Sequence, residues 1–304
     1  MKNKEKNFIS AIVYLHNDGK KVVPFFEGLN ACLDNHFDKY ELIAVDDVCT
    51  DGSISNLKKW ATNIEKPLTI IHMSLFQERE KSMNAGLDCS IGDYVIEFDS
   101  VVDKLDFELV FEAYQKTQEG NDIVSVCPNK IHRSSGLFYK IFNSSSHSAY
   151  KLKTDIFRVV TRRGINRVYA LSEYLPYRKA AYAASGLKVA HIDYNGDVNN
   201  NNNNGRFSLA VDSLVLYTSV GYKVSLGITL TMLLLVLIEL IYTVVIYCFG
   251  KPIEGWTTIM IVLTLGFFGI FLILSIVVKY LSIILDMNFR KKKYLIEGME
   301  KIQK

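Results

Sequence analysis

The stretch VDDVCTDGS, residues 45–53, decides how this chain is read. An apolar run, Leu42-Ile43-Ala44-Val45, ends on two adjacent carboxylates, Asp46 and Asp47, and a Thr-Asp-Gly-Ser turn follows. Asp and Gly favour turns on local grounds alone, because Asp bonds nearby backbone and Gly supplies positive φ. What flanks the stretch turns it from a turn signal into a site signal.

Residues 8–15, FISAIVYL, suit a short buried strand. Residues 22–33 place Val22, Phe25, Phe26, Leu29 and Cys32 on one helical stripe. Further along, 40–45 reads as strand, 54–64 as helix, 68–72 as strand, 80–90 as helix, 94–98 as strand and 107–117 as helix. Strands alternating with helices predict an α/β fold with a parallel sheet covered on both faces. Such sheets bind ligands beyond the carboxyl ends of their strands. Asp46-Asp47 and Glu97-Phe98-Asp99 both fall there. Residues 120–195 show no comparable regularity, and 199–204 are six consecutive asparagines that read as a loop.

Hydrophobic residues make up 49% of the 304, and they are unevenly spread. Residues 224–249 carry one charge, Glu239, and residues 256–278 carry none. Each run exceeds the roughly 20 residues that cross a bilayer as a helix, and each is apolar on all faces. The sequence therefore divides into a globular domain (1–205), an amphipathic juxtamembrane helix (206–223), two transmembrane helices (224–249 and 256–279) and a basic tail (280–304). Arg290-Lys291-Lys292-Lys293 follows the second span, and the positive-inside rule puts that tail, and with it the globular domain and both termini, in the cytoplasm. MKNKEKN is polar and gives no signal peptide. The five cysteines (32, 49, 89, 127 and 248) are scattered and fit reduced thiols. Glu239 is expected at a contact between helices of a homo-oligomer. No nucleic-acid partner is expected.

GxGxxG and GxxxxGK[ST] are absent, which removes the main support for dinucleotide and P-loop readings. HExxH is absent too, and no tight His/Cys cluster argues for zinc. Glu97 and Asp99 share one side of an extended strand, so both can approach one hard cation, Mg²⁺ or Mn²⁺, held with a diphosphate.

At these residues the chain resembles glycosyltransferase family 2, the inverting GT-A type. SAIVYLHND resembles that family's S-V-V-I-P-x-Y-N-E, and VDDVCTDGS resembles V-D-D-G-S-x-D-G-S. EKSMNAGLDCSIGDYV resembles the segment leading to the D-x-D strand. TDIFRVVTRR, residues 154–163, resembles T-x-D-F-R-L-[MF]-S-R-R of the polyprenyl-phosphate branch, which includes dolichol-phosphate mannose synthase and bactoprenol glucosyltransferases. That branch also ends in two spans and a basic stretch. The resemblance implies a Rossmann-like GT-A domain that binds a nucleotide-diphosphate sugar and transfers the sugar, with inversion, to a polyprenyl phosphate in a bacterial plasma membrane. It implies that Asn17, Asp18, Asp46, Asp47 and Arg79 hold the donor, Asp47 at the base. It implies that Glu97 and Asp99 are the metal-binding and catalytic carboxylates, and that Lys130, Arg133, Arg158, Arg162 and Arg163 contact the acceptor phosphate. The chain departs from the pattern in five places: Tyr14 stands for Pro, His16 for Tyr, Val48-Cys49 for Gly-Ser, Glu97 for the first Asp of D-x-D, and Val101 for the Gln often found two residues after it. The alternative these departures leave is a non-enzymatic scaffold of a glycan pathway. A processive synthase is disfavoured by the lack of Q-x-x-R-W and of further spans.

Overall fold

The computed structural model describes residues 4–129, 143, 151, 153–170, 175, 177–194, 220–250, 253–288 and 294–302. Its strands are β1 (Ile9–Leu15), β2 (Tyr40–Asp46), β3 (Leu68–Met73), β4 (Tyr94–Phe98), β5 (Ile123–Pro128), β6 (Phe157–Thr161), β7 (Val189–Tyr194) and β8 (Ile296–Ile302). Its helices are α1 (Val22–His36), α2 (Ser53–Ala61), α3 (Glu78–Cys89), α4 (Glu108–Gln118), α5 (Arg162–Tyr169), α6 (Arg178–Ala184), α7 (Val220–Phe249) and α8 (Trp256–Asn288).

The eight strands form one mixed sheet in the order β7-β5-β6-β4-β1-β2-β3-β8. The middle is parallel: β1 pairs with β2 and β4, and β2 with β3. β6 enters antiparallel between β4 and β5, and β8 closes the far edge antiparallel to β3. Alternation along β1 sends Ile9, Ala11, Val13 and Leu15 into the main core with Phe25, Phe26 and Leu29 of α1. The stripe read on α1 is buried, as its spacing requires. α3 packs on the other side of β1 and β2.

That packing explains a glycine. A Cβ on Gly86 in α3 would lie 2.6 Å from Ile12 Cγ2 and 2.9 Å from Val45 Cγ2, both on stiff β-branched side chains. Helix and sheet can approach this closely only without a side chain there.

The expected elements between 8 and 117 are all present, with ends displaced by at most three residues. Two differences stand out. The region 120–195 holds β5, β6, β7, α5 and α6. The tail expected from 280 onward instead continues α8 to Asn288 and then returns as β8 in the sheet. The expected juxtamembrane helix falls on residues that are almost all outside those described, as do Lys130 and Arg133.

The chain forms two compact units, one holding the sheet, β8 included, the other the two long helices. Within the second, Leu226–Phe249 and Trp256–Leu281 have mean hydropathies of 2.5 and 2.9 and are almost unburied by protein. They are long and apolar enough to cross a membrane. Thr243 and Thr264 are among the few buried side chains in the pair, which is usual where apolar helices approach closely.

Gly86→Ala is expected to destabilise the sheet domain by about 1–3 kcal/mol, because overpacking outweighs the helix propensity gained. A lowered midpoint in thermal or denaturant unfolding checks this; an unchanged or raised midpoint contradicts the packing described.

Candidate active site

The carboxyl ends of β1, β2 and β4 lie side by side, since Leu15 pairs with Asp46 and Val13 with Phe98. The loops beyond β1 and β2 are stitched together. Asn17 Oδ1 accepts from the Thr50 amide at 2.8 Å and from the Asp51 amide at 3.3 Å. Gly19 N–H donates to Ser53 Oγ at 2.7 Å, and Asp18 accepts from the His16 amide at 3.0 Å. Burial raises the Asp18 carboxyl above its ordinary range, with Asp51 adding to the rise.

Asp46 and Asp47 have separate partners. Asp46 Oδ1 accepts from the Cys49 amide at 2.8 Å, and Oδ2 meets His72 Nδ1 at 2.7 Å. Asp47 is fully buried. Its Oδ1 accepts from the Gln77 amide at 2.8 Å, and its Oδ2 from the Tyr14 hydroxyl at 2.9 Å. Tyr14, which stands where the family pattern has Pro, thus caps one oxygen of this aspartate. Burial and Asp47 hold the Tyr14 phenol protonated, well above its usual range.

Backbone strain collects around the same loops. Asn17, Val48 and Glu78 adopt φ of 57°, 58° and 66°. Asn tolerates this region, but for a β-branched residue it is a true outlier. Val48 occupies the position at which the family pattern carries Gly, so the backbone there keeps the glycine conformation without the glycine.

At the end of β4 the carboxylates do not stand open. Glu97 is fully buried and Asp99 nearly so. Glu97 Oε1 accepts from the Tyr182 hydroxyl at 2.5 Å, and its Oε2 from Arg178 at 2.7 Å and Arg158 at 3.2 Å. Asp99 Oδ1 accepts from Arg178, and Oδ2 from Arg158, each at 2.5 Å. Arg158 Nε reaches Asp155 at 2.9 Å, and Arg178 Nε reaches Glu80 at 3.0 Å. Lys179 pairs with Asp155. The β4–β6 register sets Glu97 opposite Arg158, and α6 supplies Arg178, Lys179 and Tyr182.

The two carboxyls titrate in opposite directions. Burial raises Glu97 above its ordinary value despite Arg178 and Arg158. Burial also pushes Asp99 up, but Arg158, Arg178, Arg79 and Lys179 together outweigh it and hold Asp99 well below the usual range. This separates their capacities as metal ligands. An ionised carboxylate offers about four lone-pair sites. Glu97 gives three to hydrogen bonds and has no exposed surface, so it does not fit a cation. Asp99 gives one per oxygen to its two arginines, with Lys179 3.9 Å away, and fits as a single hard ligand beside substrate phosphates.

The other expected site residues have definite places. Arg79 is partly exposed, with its Nε buried, unbonded and 3.9 Å from Glu80. Arg162 donates to the Gly92 and Ser90 carbonyls at 2.9 Å and so ties α5 to the loop before β4. Arg163 lies on the surface against Asp122. Neither Arg162 nor Arg163 joins the cluster around Glu97 and Asp99 among the described contacts. Instead, a small cleft open to solvent borders Arg158 and Lys179, with Lys151, Lys153 and His191 along it. Arg178, Tyr182, Glu80, Gln77 and the three lysines were not read from the sequence. Tyr14 alone among the added site groups had a signal, as a departure from the family pattern.

The placements order three arginines. Arg178→Ala leaves three buried carboxylates, Glu80, Glu97 and Asp99, short of a partner and should destabilise by about 3–5 kcal/mol. Arg162→Ala loses bonds to neutral carbonyls, about 1–3 kcal/mol, and Arg163→Ala loses a pair between a solvent-exposed cation and the buried Asp122, about 1 kcal/mol. Val48→Gly should raise stability by about 1 kcal/mol by relieving the positive φ. Unfolding midpoints of the four variants in one buffer check the set; a reversed order or a less stable V48G contradicts it.

Comparison with known proteins agrees with this fold. The sequence profile of Glycosyl transferase family 2 matches residues 10–171, which run from β1 through α5. The glycosyltransferase YkcC of Bacillus subtilis (strain 168) is 22% identical over 308 residues, covering 95% of this chain and 93% of that one. CsbB, another glycosyltransferase of that organism, is 25% identical over 309 residues, covering 96% and 92%. Among solved structures, mannosyltransferase PcManGT from Pyrobaculum calidifontis, in complex with GDP-Man and Mn²⁺, superposes with a TM-score of 0.51 at 15% identity, over 69% of this chain and 63% of that one. Glucosyl-3-phosphoglycerate synthase from Mycobacterium tuberculosis, in complex with Mn²⁺, UDP and glucosyl-3-phosphoglycerate, superposes with a TM-score of 0.54 at 12% identity, over 69% and 78%. The sheet domain has the GT-A fold, and the chain belongs to glycosyl transferase family 2.

Proposed function

We propose that this glycosyltransferase moves a sugar from a nucleoside-diphosphate sugar to a polyprenyl phosphate, working at the cytoplasmic face of a bacterial plasma membrane. The observation that carries the reading is the shared position of Arg158 and Lys179. Both touch the carboxylate cluster at the end of β4, and both border the lysine-lined cleft on the β5–β7 side. An anionic donor group on one side and an anionic acceptor group on the other would meet across these two cations.

In this reading Asn17, Asp18, Asp46, Asp47 and Arg79 hold the donor, with Asp47 at the base. Asp99 would hold Mg²⁺ or Mn²⁺ beside the donor's diphosphate, a reading the Mn²⁺-bound fold neighbours support. When bound, the cation offsets charge on the departing diphosphate. Glu97 is a positioning residue: it fixes Arg158, Arg178 and Tyr182, and through both arginines it orients Asp99. Lys151, Lys153 and Lys179 receive the acceptor phosphate, with Arg158, buried and paired to Asp155, Glu97 and Asp99, as the fixed charge behind them; Lys130 and Arg133 are assigned to the same phosphate. A phosphate acceptor is already ionised near neutral pH, so no general base is needed. Direct attack inverts the anomeric centre.

The two apolar helices support a membrane anchor, and an anchored domain holds its site where a long-chain lipid phosphate resides. Glu239, half-buried in α7, is proposed to face a helix of a second copy.

Purified protein in detergent, given a polyprenyl phosphate, Mn²⁺ and a panel of nucleotide sugars, is expected to yield a lipid-linked sugar by mass spectrometry. Asp99→Ala should lose at least about a hundredfold in rate, the scale for removing electrostatic stabilisation of developing charge. Lys151→Ala with Lys153→Ala should raise the acceptor KM with little change in kcat. Absence of product from folded wild type with every donor would instead support the non-enzymatic scaffold.

A further inference from the structure

The strand that follows the second apolar helix reaches both aspartates of the DD pair through one intermediary each. Leu295, immediately before β8, is held by the Gln77 carboxamide from both sides. Its amide donates to Gln77 Oε1 at 2.9 Å, and its carbonyl accepts from Gln77 Nε2 at 2.6 Å. The same carbonyl accepts from the Ser74 amide at 3.1 Å. Gln77 is buried, and its own amide donates to Asp47 Oδ1. The second route runs from Glu300 in β8. Glu300 lies 3.6 Å from His72 Nε2, and His72 Nδ1 contacts Asp46 Oδ2 at 2.7 Å. Lys58 of α2 holds Glu300 from the other side at 2.7 Å, and Tyr294 is hydrogen-bonded to Asp88 of α3.

A plain edge strand would need only the β3 ladder. Here the segment between β3 and α3, which carries Gln77 and leads into Arg79, is bonded to the C-terminal strand at two backbone groups. Glu78, next in that segment, sits at φ 66°, a conformation that persists only where surrounding contacts impose it.

We propose that β8 is a positioning element of the donor site, and that Gln77 is the residue through which it sets Asp47. Docking of β8 and occupancy of the nucleotide pocket are then coupled. By linkage the coupling is reciprocal: nucleotide binding tightens β8, and loosening β8 weakens nucleotide binding. This rests on the reading that Asp47 contacts the donor's base. It goes further in giving the C-terminal residues, separated from the rest of the sheet by two apolar helices in sequence, a role in donor affinity.

The test uses the full chain in detergent with UDP and GDP, each with Mn²⁺. Calorimetry compares wild type with Gln77→Ala, which keeps the amide bonded to Asp47 and removes only the grip on Leu295. Hydrogen exchange of wild type follows residues 294–302 with and without nucleotide, so the proposal stays testable should the variant fail to fold. Binding about tenfold weaker in Q77A, the loss of roughly one buried polar interaction, with slowed exchange in β8 on nucleotide addition, is the expected result. In the transfer assay the same variant should raise the donor KM while kcat stays within about twofold, which a general loss of fold would not do. If wild type binds nucleotide but β8 exchange is unchanged, or folded Q77A binds equally well, the coupling is overturned and the donor-site reading stands. If folded wild type binds neither nucleotide, both are overturned.

Discussion

Two carboxylates buried at the end of one strand, Glu97 and Asp99, and the two arginines that neutralise them, Arg158 and Arg178, set the terms for the rest of the site. Ions of one sign cannot be taken out of water alone, because removing one partner leaves an uncompensated charge worth several kcal/mol. The sheet therefore has to deliver Arg158 opposite Glu97, and this requires β6 to run antiparallel against β4. The connection after β6 has to bring α6 back over the same edge with Arg178 and Tyr182. The mixed half of the sheet is in this sense the housing of the cluster.

The parallel half serves a different constraint. Its strands end in register beside one another, and their loops are bonded to each other through Asn17 and Ser53 rather than left free. Positive φ at Asn17, Val48 and Glu78 shows that these loops are held by contacts rather than by their own preferences. Strain at a strand end is tolerable where a rigid sheet stands behind it and neighbouring groups bond the loop in place. The pair of halves gives the division of labour proposed above, with nucleotide contacts on one side, anionic acceptor contacts on the other, and Asp99 between them.

How much of this the sequence discloses depends on where burial was achieved by apolar side chains. β1, β2, β3 and β4 are short apolar runs, and α1 carries its core residues at helical spacing, so local pattern suffices. β6 is as buried as any strand, yet it carries Arg158 in its second position, and hydropathy cannot see a charge neutralised by residues far away in the chain. β8, IEGMEKI, is a largely exposed edge strand with charges that discourage pairing with other chains, so it reads as tail. The carboxylate motifs at 46–47 and 97–99 were legible because they follow strands. What surrounds them was not: Arg178 and Tyr182 come from a short helix with no periodic signature, and Gln77 acts through a contact with residue 295. The same gap explains why Glu97 reads as a metal ligand in the sequence and proves closed off by three donors in the fold.

On the proposed function Asp99, unlike Glu97, keeps lone pairs for a cation, and only alongside a diphosphate, because guanidinium groups hold both of its oxygens. The most direct measurement is Mn²⁺ electron paramagnetic resonance on the full chain, titrated with and without nucleoside diphosphate, for wild type and Asp99→Asn. Weak Mn²⁺ binding by the protein alone, strong binding once nucleoside diphosphate is present, and loss of that binding in D99N are expected. Tight Mn²⁺ binding without nucleotide, or undiminished nucleotide-dependent binding in D99N, would contradict this reading.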